Sequence, residues 1–280
     1  MATILVRYSE IGLKSRPVRK RFEMQLRENI MSMLIRDTVE ALVISDDSRL
    51  YVSTGDIDPA VRAIKRVFGV SSLSVTETCG SDMSEICGTV AKYSQSRIKS
   101  GQSFAVRARR EGEHAYTSME LGKEAGSAIF LANEGIKVNL TDPDVTFYIE
   151  VRNNKAYIFD SYLRAHAGLP LGSQGRVIAE VNDDRGLLSA WLMMKRGCRV
   201  IVHGSYDVSV LHAFDPSLKV VTDGNRDRYQ KDILGNVLGT SLDELKDIDV
   251  SSYSVPVYFP TIGMSDDEVS EMLRTIRSEV

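Results

Sequence analysis

Apolar residues recur along the first 76 residues with two different spacings. Helices are predicted over residues 15–36 and 58–68, where apolar positions return every three or four residues. Ser15 is suited to cap the first helix, and Pro17 fits its first turn. Short runs of β-branched and apolar residues predict strands at residues 3–8, 39–45, 49–53 and 70–76. The predicted order is therefore strand, helix, strand, strand, helix, strand.

This order is that of the split βαβ unit, the ferredoxin-like fold. The middle of the chain predicts helices over 82–99 and 118–133 and strands over 103–109, 145–151 and 155–162. Residues 165–172, rich in Gly and Pro, are predicted to be a linker.

Strands and helices alternate after the linker, which is typical of a small α/β domain with parallel strands. This part is predicted to have strands at 177–181, 199–203 and 219–222, helices at 187–195 and 207–212, then mixed helical segments and an amphipathic helix at 266–277. The predicted fold class is an α+β front followed by a small α/β domain with a mostly parallel sheet. The domain boundaries predicted are 1–78, 79–167 and 168–280.

Composition excludes several classes of protein. The 280 residues include 43% hydrophobic and 26% charged residues, as in ordinary globular chains. No apolar run reaches the roughly 18 residues of a membrane span, and Arg7 and Glu10 interrupt any signal sequence. Three cysteines and four histidines show no metal-ligand spacing, so we expect no metal site and a cytoplasmic location.

Charge is distributed unevenly along the chain. Residues 1–110 carry 18 Lys+Arg and 12 Asp+Glu, although the whole chain has a net charge of −3. A basic front on an acidic body indicates that the front meets a polyanion. The candidate RNA contacts in the predicted basic helix, in the strand near residue 107 and in the loop after it are Lys14, Arg16, Arg19, Lys20, Arg107, Arg109, Arg110 and His114.

Each of these groups also has a simpler interpretation. A run of basic residues on a helix is usually a solvated face, and arginines on an edge strand guard it against aggregation. Arg107 and Arg109 nevertheless share one side of their strand by period-two geometry, so that two guanidinium groups face the same way. Few aromatic residues lie between these positions, which favours recognition of phosphates and shape over bases.

Several segments together resemble the tRNA 4-thiouridine synthetase family. The middle of the chain is similar to a THUMP domain at residues 104–110, 112, 114, 139–145 and 149–151. The front is similar to the domain that precedes THUMP in that family, at residues 10–11, 14–15, 18–19, 22, 26 and 29–30. Residues 168–175, 191–198 and 259–264 resemble the family's linker and its ATP pyrophosphatase domain. The resemblance implies a grip on the acceptor-end region of tRNA.

The chain departs from the family at the loop that cradles the ATP phosphates. The family has Ser-Gly-Gly-x-Asp-Ser there, whereas residues 181–186 read Val-Asn-Asp-Asp-Arg-Gly. Adjacent carboxylates would repel a triphosphate, although Arg185 and Gly186 suit a smaller anion. The candidate nucleotide-binding residues, in degenerate form, are Asn182, Asp183, Arg185 and Gly186. The family's downstream cysteine has no counterpart after Cys198, and the last domain is shorter than a complete pyrophosphatase domain.

The main interpretation is a tRNA-binding protein related to 4-thiouridine modification, without ATP-dependent activity, catalytic residues or cofactors of its own. The first alternative is a divergent tRNA sulfurtransferase that uses ATP and Mg²⁺ to adenylate tRNA, linked to thiamine thiazole synthesis as relatives are. The second is a scaffold for a partner modification enzyme. A homodimer, in which one subunit holds tRNA for the other, is expected by analogy with the family.

Overall fold

The computed structural model describes residues 2–46, 49–221, 229 and 232–280. The chain forms two compact units, each assembled from separate stretches. The first contains residues 1–6, 40–57 and 72–164, and the second contains residues 7–39, 58–71 and 165–280. The domain boundaries at 78 and 167 stay predictions. Within the described residues, no helix is both long and apolar enough to cross a membrane.

The first unit is built on a nine-stranded sheet in the order β2-β3-β1-β4-β8-β7-β5-β6, with β9 paired to β4. Its strands are β1 (Ala2–Arg7), β2 (Ala41–Asp46), β3 (Arg49–Thr54), β4 (Ser72–Gly80), β5 (Ser103–Glu111), β6 (Lys137–Val138), β7 (Val145–Arg152), β8 (Lys155–Phe159) and β9 (Leu163–Arg164). Neighbours β2, β3, β1 and β4 stand in the ferredoxin-like order, as predicted. The predicted turn at Asp47 and Ser48 lies outside the described residues.

Two helices cover one face of this sheet, α3 (Met83–Gln95) and α4 (Ser118–Ala132). Their buried residues, among them Ile86 and Leu121, pack against Phe104, Phe147 and Ile158 of the strands. The hairpin between β7 and β8 turns at Asn153, whose φ of 50° is a left-handed conformation that asparagine tolerates. β6 and β9 have two residues each, and the sequence predicted neither.

The second unit contains the first two helices, α1 (Arg16–Arg36) and α2 (Ile57–Lys65), together with the C-terminal elements. Two hydrogen bonds tie α1 to the C-terminal part. Asn29 Nδ2 donates to the carbonyl of Leu171 at 3.0 Å, and Arg36 Nη1 donates to that of Ala213 at 2.8 Å. Helix α1 therefore packs with residues that are distant in sequence.

The C-terminal part is a parallel sheet in the order β12-β11-β10-β13-β14, as the predicted fold class requires. Its elements are β10 (Arg176–Glu180), α5 (Asp184–Lys195), β11 (Arg199–His203), α6 (Ser209–His212), β12 (Lys219–Val221), β13 (Ile233–Leu238), β14 (Val257–Tyr258) and α7 (Asp266–Ser278). Trp191, Phe68 and Phe214 form the centre of its core, with ring centroids 5.3–5.8 Å apart.

One prediction for this part is wrong. The region predicted as mixed helical segments contains β13 and β14, because Gly235 and Asn236 interrupt the apolar pattern by which a buried strand is recognised. Residues 165–172, predicted as a linker, contain no helix or strand, and Leu169, Pro170 and Leu171 within them are buried. Gly168 is required there: a Cβ would lie 2.2 Å from the carbonyl oxygen of Lys195. The predicted strand end at Thr222 lies outside the described residues.

Candidate nucleic-acid interface

The basic residues at the start of α1 differ in solvent exposure and in hydrogen bonding. Lys14, Arg16 and Lys20 are exposed, while the apolar positions from Phe22 onward are buried. Arg19 is half-buried, and its guanidinium donates a hydrogen bond to the carbonyl of Gly12 at 2.7 Å. Arg19 therefore fastens the preceding turn to the helix, and the other three present their charges to solvent.

The arginines of β5 divide between the two faces of the sheet. Arg107 and Arg109 are exposed and alternate with Val106 and Ala108, which pack toward the helices. By the period-two rule, Arg110 lies on the same face as Val106 and Ala108. The three predicted arginines are therefore not on one face. Arg107 Nη2 also donates to the carbonyl of Leu140 at 2.6 Å, which fixes the direction of its side chain.

Two tyrosines join the first pair of arginines. β5 pairs with β7 in parallel register, so Arg107 lies directly beside Tyr148. The ring of Tyr162 meets that of Tyr148 at 4.8 Å in an edge-on contact. All of these residues line a groove of about 870 Å³, which we call the β5 groove. Aromatic rings thus accompany the basic side chains, contrary to the sequence prediction, because they come from neighbouring strands.

A buried carboxylate lies next to Arg109 in the sheet. Glu150 lies beside Arg109 in the register of β5 and β7 and is only 5% exposed. Its carboxylate is 3.9 Å from Arg49 Nε and 3.7 Å from Arg152 Nε. Glu150 therefore belongs to an ion-pair network with Arg49 and Arg152 beside the groove.

His114 is held by its own loop. Its Nε2 lies 3.0 Å from the carbonyl of Glu111, and its ring stacks on Tyr116 with centroids 5.6 Å apart. Arg110 Nη1 donates to the carbonyl of Gly112 at 3.1 Å. His114 and Arg110 therefore order the loop that follows β5, and their place in RNA contact stays a prediction.

The predicted nucleotide-binding residues lie where β10 ends and α5 begins. Asp183 caps the helix by accepting a hydrogen bond from the amide of Gly186 at 2.7 Å, and Asn182 is exposed. Gly186 is needed for packing, because a Cβ there would lie 2.6 Å from the carbonyl oxygen of Glu180. Arg185 is 8% exposed and points into the protein. Its guanidinium donates to the carbonyls of Thr261 and Met264 at 2.8 and 2.9 Å and to Asp266 at 2.6 Å.

Carboxylates surround this position. A cleft of about 600 Å³ opens there, lined by Arg185 and by Asp183, Asp184, Asp243, Glu244 and Asp266. The amide and hydroxyl of Ser241 both donate to Glu244, which lowers the pKa of that carboxyl and keeps it ionised. Since the arginine of this lining is already bonded and its other charged side chains are carboxylates, these residues do not fit the phosphates of ATP.

Cysteines and histidines add no second site in the described part of the chain. No group of three or more His, Cys, Asp or Glu there is placed to hold a metal ion. Cys198 is buried, and burial raises the pKa of its thiol, so it is not an activated nucleophile. His166 lies 2.8 Å from Glu279, and His203 lies 3.9 Å from Glu180.

Comparison with protein families decides what the front of the chain is. Residues 3–74 match the model of the ThiI ferredoxin-like domain, and residues 80–159 match the model of the THUMP domain. The chain carries a ThiI ferredoxin-like domain followed by a THUMP domain. The β5 groove lies within the part matched as THUMP, apart from Tyr162.

Curated relatives cover most of the chain. A protein named probable tRNA sulfurtransferase from Methanosarcina acetivorans is 38% identical over 205 residues, which are 70% of this chain and 49% of that protein. One of the same name from Methanocaldococcus jannaschii is 34% identical over 246 residues, 82% of this chain and 64% of that one. The chain thus spans about half to two thirds of the length of these two relatives.

Solved structures share the fold over the whole chain. PH1313 from Pyrococcus horikoshii is 28% identical with a TM-score of 0.84, covering 99% of this chain and 100% of that one. A 4-thiouridine synthetase–RNA complex with bound ATP is 19% identical with a TM-score of 0.80, covering 100% of this chain and 86% of that one. The second likeness concerns the fold alone. Both agree with an α+β front and a C-terminal part with a parallel sheet.

These comparisons correct the main functional interpretation. The sequence favoured a tRNA-binding protein without ATP-dependent activity, but relatives at 34–38% identity are named as tRNA sulfurtransferases. The first alternative, a tRNA sulfurtransferase, is therefore the better supported of the two. The interpretation without ATP-dependent activity rested on the changed loop at residues 181–186, the missing downstream cysteine and the short last domain.

Proposed function

We propose that the protein is a tRNA sulfurtransferase that holds its tRNA with the ferredoxin-like and THUMP domains. The observation that carries the proposal is the similarity to proteins named as probable tRNA sulfurtransferases, which align with 70–82% of this chain. The exposed Arg107 and Arg109 and the exposed ring of Tyr162 in the same groove support it physically, because guanidinium groups bind phosphates and aromatic rings stack on unpaired bases. For a protein that acts on tRNA, we expect a cytoplasmic location.

The acceptor-end region of tRNA is the part we propose to be bound. Lys14, Arg16 and Lys20 in one unit and Arg107 and Arg109 in the other supply separate sets of exposed cations. Contacts of this kind position an RNA without reading its sequence. A homodimer that divides tRNA holding between two subunits, and a partner modification enzyme, remain predictions.

ATP is the co-substrate expected under this proposal, and the 4-thiouridine synthetase of similar fold was solved with it bound. The cleft at residues 181–186 does not fit its phosphates, since Arg185 is bonded to Thr261, Met264 and Asp266. No step of the reaction is therefore assigned to that cleft. The chain's own proposed contribution is to bind and orient the tRNA.

Nucleoside analysis of tRNA tests the proposal. Deleting the gene in its source organism should remove a thiolated uridine from total tRNA, and a plasmid copy should restore it. A copy with Arg107→Glu and Arg109→Glu should restore less than a tenth of it. The matched control reverses two exposed charges elsewhere, Lys246→Glu and Arg274→Glu, and should restore it fully. An unchanged content of thiolated uridine after deletion would refute the proposal.

A further inference from the structure

One side of β5 is an open edge for most of its length. β5 pairs with β7 from Phe104 to Glu111, but with β6 only at Ser103 and Phe104. Within the described residues, no other strand pairs with that side. The carbonyl of Phe104 accepts from the amide of Asn139 at 3.0 Å, so it points away from β7. Alternate residues of a strand share this direction, which leaves the backbone groups of Val106 and Ala108 facing the open side.

Helix α4 forms one wall of the β5 groove beside this edge. Gly122 and Gly126 face β5, where a Cβ at either position would lie 3.9 Å from Ala108 or Val106. The rim of the β5 groove is apolar and exposed: Met119 is 85% exposed, Phe130 51% and Leu140 63%. Exposed apolar side chains grouped at an open strand edge mark a surface that another chain covers.

The two sides of the edge differ in chemistry. A strand added beside β5 would send alternate side chains toward α4 and toward the opposite face. The first set would meet Gly126, Met119 and Phe130, and the second would meet Arg107 and Arg109. The segment that fits both sides therefore has apolar and acidic residues in strict alternation. A second copy of β5 is disfavoured, because its own arginines would lie opposite these.

We propose that the β5 groove binds an extended segment of a partner protein, in which acidic and apolar side chains alternate. The segment adds to the sheet by backbone hydrogen bonds along Val106 to Ala108, a recognised mode of peptide binding. Because it covers Arg107 and Arg109, it competes with tRNA for the same cations. The inference concerns a protein partner and does not depend on the thiolation reaction.

Fluorescence polarisation with a labelled nine-residue peptide of alternating Val and Glu tests this inference on the full chain. The peptide should bind, and a peptide of the same composition with all Val before all Glu should bind at least tenfold more weakly. N-methylation of one set of alternate amides should abolish binding, whereas methylation of the other set should preserve it. That asymmetry is the signature of strand addition, and it needs no variant of the protein.

Two variants locate the site. Gly126→Met fills the β5 groove beside Val106 and should weaken peptide binding at least tenfold. Circular dichroism of this variant should match that of the wild type, which shows that the fold is kept. Arg107→Glu with Arg109→Glu should reverse the charge preference, losing the Val/Glu peptide and gaining a Val/Lys peptide. The control pair Lys246→Glu and Arg274→Glu should leave peptide binding unchanged.

Three results would overturn the inference: no binding of the alternating peptide, equal binding of the two sequence orders, or equal loss with both methylation patterns. If a single-stranded oligonucleotide binds, Gly126→Met blocks it and the peptide does not bind, the groove is an RNA site instead. Thiolated uridine is measured separately, so failure here is distinguishable from failure of the proposed function.

Discussion

Arg185 holds its guanidinium among three oxygen atoms at the start of α5. Two are backbone carbonyls, of Thr261 and Met264, and the third belongs to the exposed carboxylate of Asp266. A positive charge thus ties the segment before α7 to α5. The residue that the sequence suggested as an anion ligand is a structural cross-link, and this could not be predicted because its partners lie 76 or more positions away.

Replacing Arg185 should destabilise the second unit. Arg185→Ala leaves the carbonyl of Thr261 buried without its donor, and we expect the free energy of unfolding in urea to fall by about 2 kcal/mol. Asp266→Asn should cost far less, because that carboxylate is 96% exposed. Equal losses for the two variants would contradict this account of the cross-link.

His166 makes the same unit sensitive to acid. Burial against the rings of Phe214 and Trp191, 5.0 and 5.3 Å away, lowers its pKa and outweighs the opposing effect of Glu279, while Lys195 and Lys65 lower it further. The unfolded chain, with a histidine pKa of about 6.5, then binds the proton more readily than the folded one. The free energy of unfolding should therefore fall as the pH drops through 6.5.

Urea unfolding at pH 7.5 and pH 5.5 measures this dependence. His166→Gln should be less stable at the higher pH, since it disturbs the aromatic core, but should lose less stability between the two values than the wild type. The same loss in both proteins would show that another group carries the pH dependence. His212→Gln, an exposed position, is the matched control and should behave as the wild type.

Elements with strong local signals were predictable. Periodic apolar positions predicted α1 to the residue at its end, and α4 within one residue. β13 was not predicted. A buried parallel strand is recognised by a continuous apolar run, and in β13 the buried Asn236 and the nearby Gly235 and Gly239 interrupt that run. Gly and Pro in residues 165–172 correctly predicted irregular backbone there, but they do not show that Leu169, Pro170 and Leu171 are packed against the protein.

The capping box of α4 provides a prediction at this scale. The hydroxyl of Thr117 accepts from the amide of Glu120, and the Glu120 carboxylate accepts from the amide of Thr117. Thr117→Ala should lower the free energy of unfolding by about 1 kcal/mol, measured by urea denaturation. Thr275→Ala, in the exposed middle of α7, should change it by less than about 0.5 kcal/mol. Similar effects of both substitutions would contradict the importance of the cap.

Charge organises the molecule as a whole. The front of the chain has an excess of basic residues, and the exposed cations of α1 and β5 belong to it. The C-terminal cleft is lined by carboxylates. The sequence predicted this division and the arginine pair, whereas Tyr148 and Tyr162 became part of the candidate site only through strand pairing.

The salt dependence of tRNA binding tests the role of the front. Affinity should fall steeply with salt, and Arg107→Glu with Arg109→Glu should reduce the slope of log affinity against log salt by about 1.5. A tRNA shortened by its single-stranded CCA end should bind more weakly than intact tRNA. Unchanged slope and equal binding of both tRNAs would show that the β5 arginines and the acceptor end do not meet.

The most direct test of the central claim is whether transfer of sulfur to tRNA depends on this protein. Purified protein would be added, with ATP, Mg²⁺ and ³⁵S-labelled cysteine, to an extract of cells that lack the gene, and label in the tRNA would be counted. We expect label in thiolated uridine that depends on the added protein and falls at least tenfold with Arg107→Glu and Arg109→Glu. Label no higher than in the extract alone would contradict the assignment as a tRNA sulfurtransferase.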